Sequence, residues 1–256
     1  MDKKDWFIFL ILFLSACVSA TEIKTAPFTL QHIGTTPDWE GLVSSWLIAY
    51  HQQLEKPNFQ LDLLAPQEIL SNLENGSIEL AFIDREVPEG WFATPIKREA
   101  ILVIANPKVG LTSLQMDDLD KIFSGRVKSW DIFTNSNDPI QPIVPLPGNQ
   151  LREKFAKNFM KNSHFSPSAI IGSTPDIIIE LVKSKAGAIG LLPAWRLEEG
   201  VNSIAIGGVA PTKEALDSGR YPLWVDILAI SPEEPVGSIR DFLVWIQGTY
   251  LPSLNE

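Results

Sequence analysis

Apolar positions along this chain recur with two alternating periods, and that alternation predicts the elements. "FTLQHIG" (28–34) reads as a strand. After Pro37, residues Trp39, Leu42, Val43, Trp46, Leu47 and Tyr50 recur at helical spacing and predict an amphipathic helix. "FQLDLLA" (59–65) alternates as a strand, and "PQEILSNLENG" (66–76) is a short helix stopped by Gly76. "IELAFID" (78–84) and "EAILVIAN" (99–106) have the unbroken apolar character of buried strands. A helix "TSLQMDDLDKIFSG" (112–125), capped near Ser113 and ended by Gly125, precedes the strand "IQPIVPL" (140–146) and the helix "NQLREKFAKNFMKN" (149–162). "SAIIG" (168–172) then leads into the helix "PDIIIELVKSKAG" (175–187) and the strand "AIGLLP" (188–193). "LWVDILAIS" (223–231) is a last strand and "GSIRDFLVWIQGTY" (237–250) a last helix. Strands alternating with helices in this way indicate an α/β architecture.

Two strand-to-helix corners are nearly identical: "IGTTPD" at 33–38 and "IGSTPD" at 171–176. The hydroxyl of Thr36 or Thr174 can cap orphan backbone N–H groups, proline suits the first helical position, and the aspartate complements the positive end of the macrodipole. The pair is either two good helix starts and nothing more, or two corners of a two-lobed fold that aim helix N-termini into one cleft. No solenoid-length repeat, low-complexity stretch or Pro/Gly/Ser-rich linker divides the chain.

Composition changes the picture at the N-terminus. "MDKKDWFIFLILFLSAC" carries two lysines and then an apolar run, Trp6 to Leu14, too short to span a bilayer and suited to a secretory signal. Leu14-Ser15-Ala16-Cys17 resembles the lipobox of bacterial lipoproteins, in which the cysteine is acylated and becomes residue one. Cys17 is the chain's only cysteine. The alternatives are a cleaved signal with an incidental cysteine, or cleavage after "CVSA" at Ala20. Removal of residues 1–16 leaves 240 residues, enough for one large or two modest domains. Asp2 and Asp5 offset Lys3 and Lys4, so the mature chain keeps the formal charge of −10. An acidic chain without a Lys/Arg cluster argues against a nucleic-acid partner. It leaves room for a small anion, which a few local donors can hold.

Familiar catalytic signatures are missing. There is no G-x-S-x-G elbow, P-loop or HExxH, and "GGVAP" (207–211) is too short for a dinucleotide fingerprint. His32, His51 and His164 are scattered without ligand spacing, and one N-terminal cysteine excludes a thiolate metal site. Asp117-Asp118 reads as a solvated helix face. No cofactor, metal or catalytic residue is expected.

A resemblance supplies what periodicity cannot. "LTSLQMDDLDKIFSGRVKSWDIF" (111–133) resembles a segment of phosphate-type periplasmic binding proteins, a helix ending in "IFxGxxxxW". "GTTPDWEGLVSSWLIAYHQ" (34–52) resembles their first strand–helix turn, with Trp46 and Tyr50 at the aromatic positions. "IELAFID" resembles the strand that ends in a ligand-contacting Asp, "AGAIGLLP" their "GAIGY" strand, and "YPLWVDILAIS" (221–231) their return into the first lobe. The matches run in order over residues 28–248. The resemblance implies a type II periplasmic binding protein fold: two α/β lobes across a central cleft, joined by crossing hinge strands. It implies lobe one from residues 22–105 with 209–256, and lobe two from 106–208.

The departures bear on the ligand. Thr36 stands where the family's hydroxyl contacts phosphate, but the next residue, which normally donates a backbone N–H, is Pro37. A Gly/Ser-rich turn is replaced by "LAPQEIL" (64–70). Asp84 matches the family aspartate, with Arg85 beside it. The family's Arg and "SGT" turn are absent from "PLPGNQLREKF" (145–155), leaving Gly148, Asn149 and Gln150 at that helix start. A charge-assisted hydrogen bond is worth about 1.5–3 kcal/mol, so phosphate is expected to bind more weakly than in typical relatives. Arg85 or Arg152 can compensate, although Arg152 also reads as an ordinary helix residue.

The expected protein is a monomeric, lipid-anchored, extracytoplasmic solute-binding protein that captures phosphate or a related oxyanion for an ABC permease, without catalysis. Its expected ligand contacts are Thr35, Thr36, Asp84, Arg85, Gly148, Asn149 and Gln150, with Cys17 as the lipidation site. Asp84 would accept a hydrogen bond from a ligand that keeps a proton, or else cap a turn or pair with Arg85. A binding-protein-like sensor or interaction module that has lost transport is the second reading; a hydrolase using Asp84 lacks a partner base and comes last.

Overall fold

The computed structural model describes residues 30–54, 59–161 and 163–250. The signal segment and Cys17 lie outside the described residues. The chain runs β1 (Gln31–Thr35), α1 (Glu40–Leu54), β2 (Phe59–Leu63), α2 (Pro66–Glu74), β3 (Leu80–Ile83), β4 (Phe92–Ala105), β5 (Ser113–Leu114), α3 (Met116–Phe123), β6 (Gln141–Pro145) and α4 (Gln150–Phe159). It continues with β7 (Ile170–Gly172), α5 (Pro175–Ser184), β8 (Ala188–Pro193), β9 (Asn202–Ile206), α6 (Lys213–Asp217), β10 (Trp224–Ser231) and α7 (Gly237–Tyr250).

One sheet path orders the strands β2-β1-β3-β10-β4-β8-β6-β7. At one end β1 pairs in parallel with β2 and β3; at the other β6 pairs in parallel with β7 and β8. The antiparallel strands β4 and β10 join the two parallel sets. The first half of β4 pairs with β10 and its last five residues with β8, so a single strand crosses from one α/β half to the other. This is the two-lobed α/β arrangement with a crossing strand that the resemblance implies.

The apolar face predicted for α1 is the face it buries: Trp39, Leu42, Val43, Trp46, Leu47 and Tyr50 are all in the core. Phe242 of α7 meets it, with ring centroids 5.0 Å from Tyr50 and 5.2 Å from Phe59. Hydrogen bonds from Gln247 to Thr94 and from Trp245 to Gln53 fix the last helix on the first half of the chain. In the other half Phe123, Phe155 and Phe159 pack in series with tilted rings, centroids 4.5 and 5.3 Å apart. Trp130, fully buried, donates its indole N–H to the Gly187 carbonyl at 2.9 Å. A Cβ on Gly187 would lie 2.0 Å from the Pro139 carbonyl, so only glycine permits that approach. Two motifs that carried the resemblance, the terminal Trp of one and the Gly of another, therefore hold each other.

Four local expectations change. Thr174 does cap α5 through the Ile177 N–H, but the Thr36 hydroxyl caps nothing, and Pro37 sits in a turn ahead of α1 rather than inside it. Ser113 belongs to the two-residue strand β5; α3 starts after Gln115, which makes no side-chain cap. β4 begins at Phe92, seven residues before the apolar run. β9 and α6 were not expected from periodicity, being five residues each.

Candidate functional site

The site grows from the end of β1. Continuing its register with β3, where Thr35 lies opposite Phe82, brings Thr36 beside the Ile83–Asp84 exit. Thr35 spends its hydroxyl on the Phe82 carbonyl at 3.0 Å, so only the backbone of its turn is left to offer a ligand. Thr36 is 3 % exposed and its Oγ1 has no partner. Trp39 Nε1 and Arg85 Nε are likewise buried without an acceptor. A buried donor left unmade costs about 1–3 kcal/mol. Thr36 and Arg85 stand at the exits of the neighbouring strands β1 and β3, where such groups can meet an acceptor from outside the chain.

Asp84 sits among them, 7 % exposed. Burial pushes its carboxyl up to about 6; the Arg85 charge and the Trp39 indole N–H, which faces it without closing a well-aligned hydrogen bond, draw it partly back. Asp38 is pushed higher, to about 7, by burial and by the Asp84 charge, against the pull of Asn149 and Arg85. Carboxyls that resist ionisation can share a proton, and unpartnered donors can meet a negative group, so the two together can do the chemistry of a protonated anion.

The second half of the chain reaches the same place through α4. Asn149 is its N-cap, accepting from the Leu151 N–H at 2.9 Å and the Arg152 N–H at 3.4 Å, while its Nδ2 donates across the cleft to Asp38 Oδ2 at 2.5 Å. Gly148 takes φ +81°, a turn that favours glycine, and its N–H donates to Glu153 at 3.4 Å. Gln150 lines a cleft of about 330 Å³ with Asp84, Arg85, Lys154, Trp224 and Asp226. Trp195 is tied to the same turn, its Nε1 donating to the Asp38 carbonyl at 3.0 Å.

A second cavity, about 380 Å³, lies between β4 and α6 and includes Glu99 and Trp195. Its buried carboxylate Glu99 is already engaged by Lys97 Nζ at 2.8 Å and the Trp195 N–H at 2.5 Å, so it has little to offer a solute. Among the described residues no group of three or more His, Cys, Asp or Glu side chains could hold a metal ion.

Asp84, Arg85 and Gln150 thus line one cleft, Asn149 at the start of α4 is tied to Asp38, and Thr35, Thr36 and Gly148 stand at the β1 exit and in the turn before α4, outside that lining. Arg152 points elsewhere, donating to the Pro145 carbonyl at 2.9 Å and stacking on Phe165 at 4.5 Å. Sequence reasoning missed Asp38, Trp39 Nε1 and Trp195 as members. Asp38 was visible as the last residue of the repeated hexapeptide but read as a helix-dipole partner; nothing local marked Trp195.

A periplasmic binding protein (PBP) superfamily domain matches residues 20–248. The chain belongs to the PBP superfamily. It is similar to the phosphate-binding protein PstS of Bacillus subtilis, 23 % identical over 186 residues, which cover 70 % of this chain and 62 % of that one. The chain therefore spans less than two thirds of that relative. The Borreliella burgdorferi PstS is 20 % identical over 217 residues, covering 78 % of this chain and 77 % of the relative. A Clostridium perfringens protein solved with bound phosphate superposes with a TM-score of 0.75 at 18 % identity, over 85 % of this chain and 93 % of that one. At that identity the superposition shows the fold alone.

Proposed function

We propose that this PBP-superfamily chain is an extracytoplasmic solute-binding lipoprotein that captures a small protonated oxyanion, phosphate first, and presents it to an ABC permease without catalysis. The observation that carries this reading is the buried, unpartnered Thr36 Oγ1 and Arg85 Nε at neighbouring strand exits, with the un-ionised tendency of Asp84. Phosphate is also what its relatives' names say they bind. In this reading the described residues within 22–105 and 209–256 make up the first lobe and those within 106–208 the second; the solute sits between them, and β4 serves as a hinge strand.

The test is calorimetric titration with phosphate and sulfate on wild type and Thr36→Val. Valine keeps the volume and removes the hydroxyl. Because that buried hydroxyl has no partner within the protein, its removal should raise stability by about 1–3 kcal/mol, while phosphate affinity falls roughly 10- to 100-fold. Equal phosphate affinity in the variant counts against Thr36 as a contact, and no oxyanion binding in the wild type counts against the function.

Membrane attachment rests on Cys17. One acyl chain holds a protein only marginally, so retention comes from the several chains of a mature lipoprotein. Cys17→Ser should move the protein from the membrane fraction to the soluble fraction or stall its processing; unchanged retention argues against lipidation. Among the described residues no helix is long and apolar enough to cross a membrane.

A second reading, a sensor or interaction module without transport, is favoured by one contact: Asn149, the cap of α4, already spends an N–H on Asp38.

A further inference from the structure

Asp38 is unlike the other members of the cleft. It belongs to the turn before α1, yet its carboxyl reaches 111 residues along the chain to Asn149 at the start of α4. Its backbone carbonyl takes the indole N–H of Trp195. It therefore places a negative group on the donor that α4 would turn toward any anion in the cleft, next to the unpartnered Thr36 Oγ1 and Arg85 Nε. Two anions cannot share those donors at close range without a proton between them.

Resting on the oxyanion reading above, we propose that Asp38 is the specificity-determining residue of the cleft, a tethered carboxylate that competes with the captured anion for Asn149, so that each anion enters together with one proton on Asp38. The proton comes from solvent onto the Asp38 carboxyl. The neutral carboxyl keeps an acceptor oxygen but loses the charge that held Asn149, so Asn149 Nδ2–H can turn to the more strongly accepting ligand oxygen. The charged groups acting on Asp38 are Asp84 and Arg85, both from the exit of β3; α4 contributes the neutral Asn149 and the Trp195 segment its indole. The carboxyl's upward shift to about 7 accords with a group that takes a proton near neutrality.

The experiment is calorimetry with inorganic phosphate at pH 6 and pH 8, in buffers of different ionisation enthalpy, on wild type, Asp38→Asn and Asp38→Ala. The ligand's own protonation is common to all three proteins and cancels in the differences. At pH 8 the wild type should take up about one proton more per phosphate than either variant. Both variants should bind about tenfold more tightly than wild type at pH 8 and within about twofold of it at pH 6, following the linkage of one titrating group. The alanine variant guards against the introduced amide bonding Asn149 in its own right. Binding with equal affinity and equal proton uptake in wild type and variants at pH 8 overturns the role of Asp38 while leaving phosphate capture in place. No phosphate binding by any of the three at either pH overturns the oxyanion reading and this proposal with it.

Discussion

Replacing Phe242 with alanine should destabilise the protein by about 3–5 kcal/mol, the usual range for removing a fully buried aromatic ring. Phe242 is 0 % exposed and touches more of the first half than its position near the end of the described chain suggests. Its ring meets Tyr50 of α1 at 5.0 Å, Phe59 of β2 at 5.2 Å and Phe82 of β3 at 6.2 Å. Truncation opens a cavity at the meeting point of three elements that cannot all close in on it, because β2 and β3 are both held in register by β1. For a chain of this size the melting temperature should fall roughly 6–20 °C. Urea unfolding of wild type and variant checks this; a loss under about 1 kcal/mol would mean that α7 rests on the first half rather than completing its core.

Asp84→Asn should act in the opposite direction on stability and remove selectivity. The folded protein holds this carboxyl at about 6 instead of the ordinary 3.8, mainly through burial. At ~1.4 kcal/mol for each decade of proton affinity, that costs about 3 kcal/mol of stability once the group is ionised. The sign follows from the raised value: the folded state binds the proton more tightly than the unfolded one. This group's contribution is therefore intact below about pH 4 and lost as pH rises through about 6. Asparagine has no charge to bury, so the variant should be more stable than wild type by up to about 3 kcal/mol at pH 8 and nearly equal to it at pH 4. It should also lose preference for phosphate over fully ionised sulfate, since the carboxylate acceptor that needs a ligand proton is gone. Urea unfolding at the two pH values, with parallel titrations of both anions, checks the two halves separately. Unchanged stability at pH 8 would mean that the carboxyl is better solvated than its burial implies; unchanged anion preference would remove Asp84 from ligand discrimination. A group kept at a cost to stability is a common mark of a functional position.

Element order, most of the core and one side of the site are written locally in the chain. Helical spacing places α1's apolar face whatever surrounds it, and strand alternation and glycine stops are just as local. Thr36, Asp84 and Asn149 could be named because each stands at a strand exit or helix start, where backbone geometry leaves groups free. The remainder depends on contacts between distant segments. The first half of β4 carries Pro95 and the charged pair Lys97-Arg98 ahead of the apolar run, and no local period marks it as strand. It is a strand because β10 shifts register near Pro95, because Arg98 pairs with Asp226 at 2.9 Å and stacks on Trp224, and because Glu99 finds Lys97 and the Trp195 N–H. The twin hexapeptides show the same division. Their sequences are nearly equal, yet Thr174 caps its helix while Thr36 stays unpartnered, because Pro37 and Asp38 enter a turn before α1 instead of its first coil. Asp38 meets Asn149 and Trp195 across 111 and 157 residues of chain. Contacts at that separation leave no period or motif in either segment; they exist only because folding brings the two halves face to face, where burial raises the energetic stake of every polar group between them.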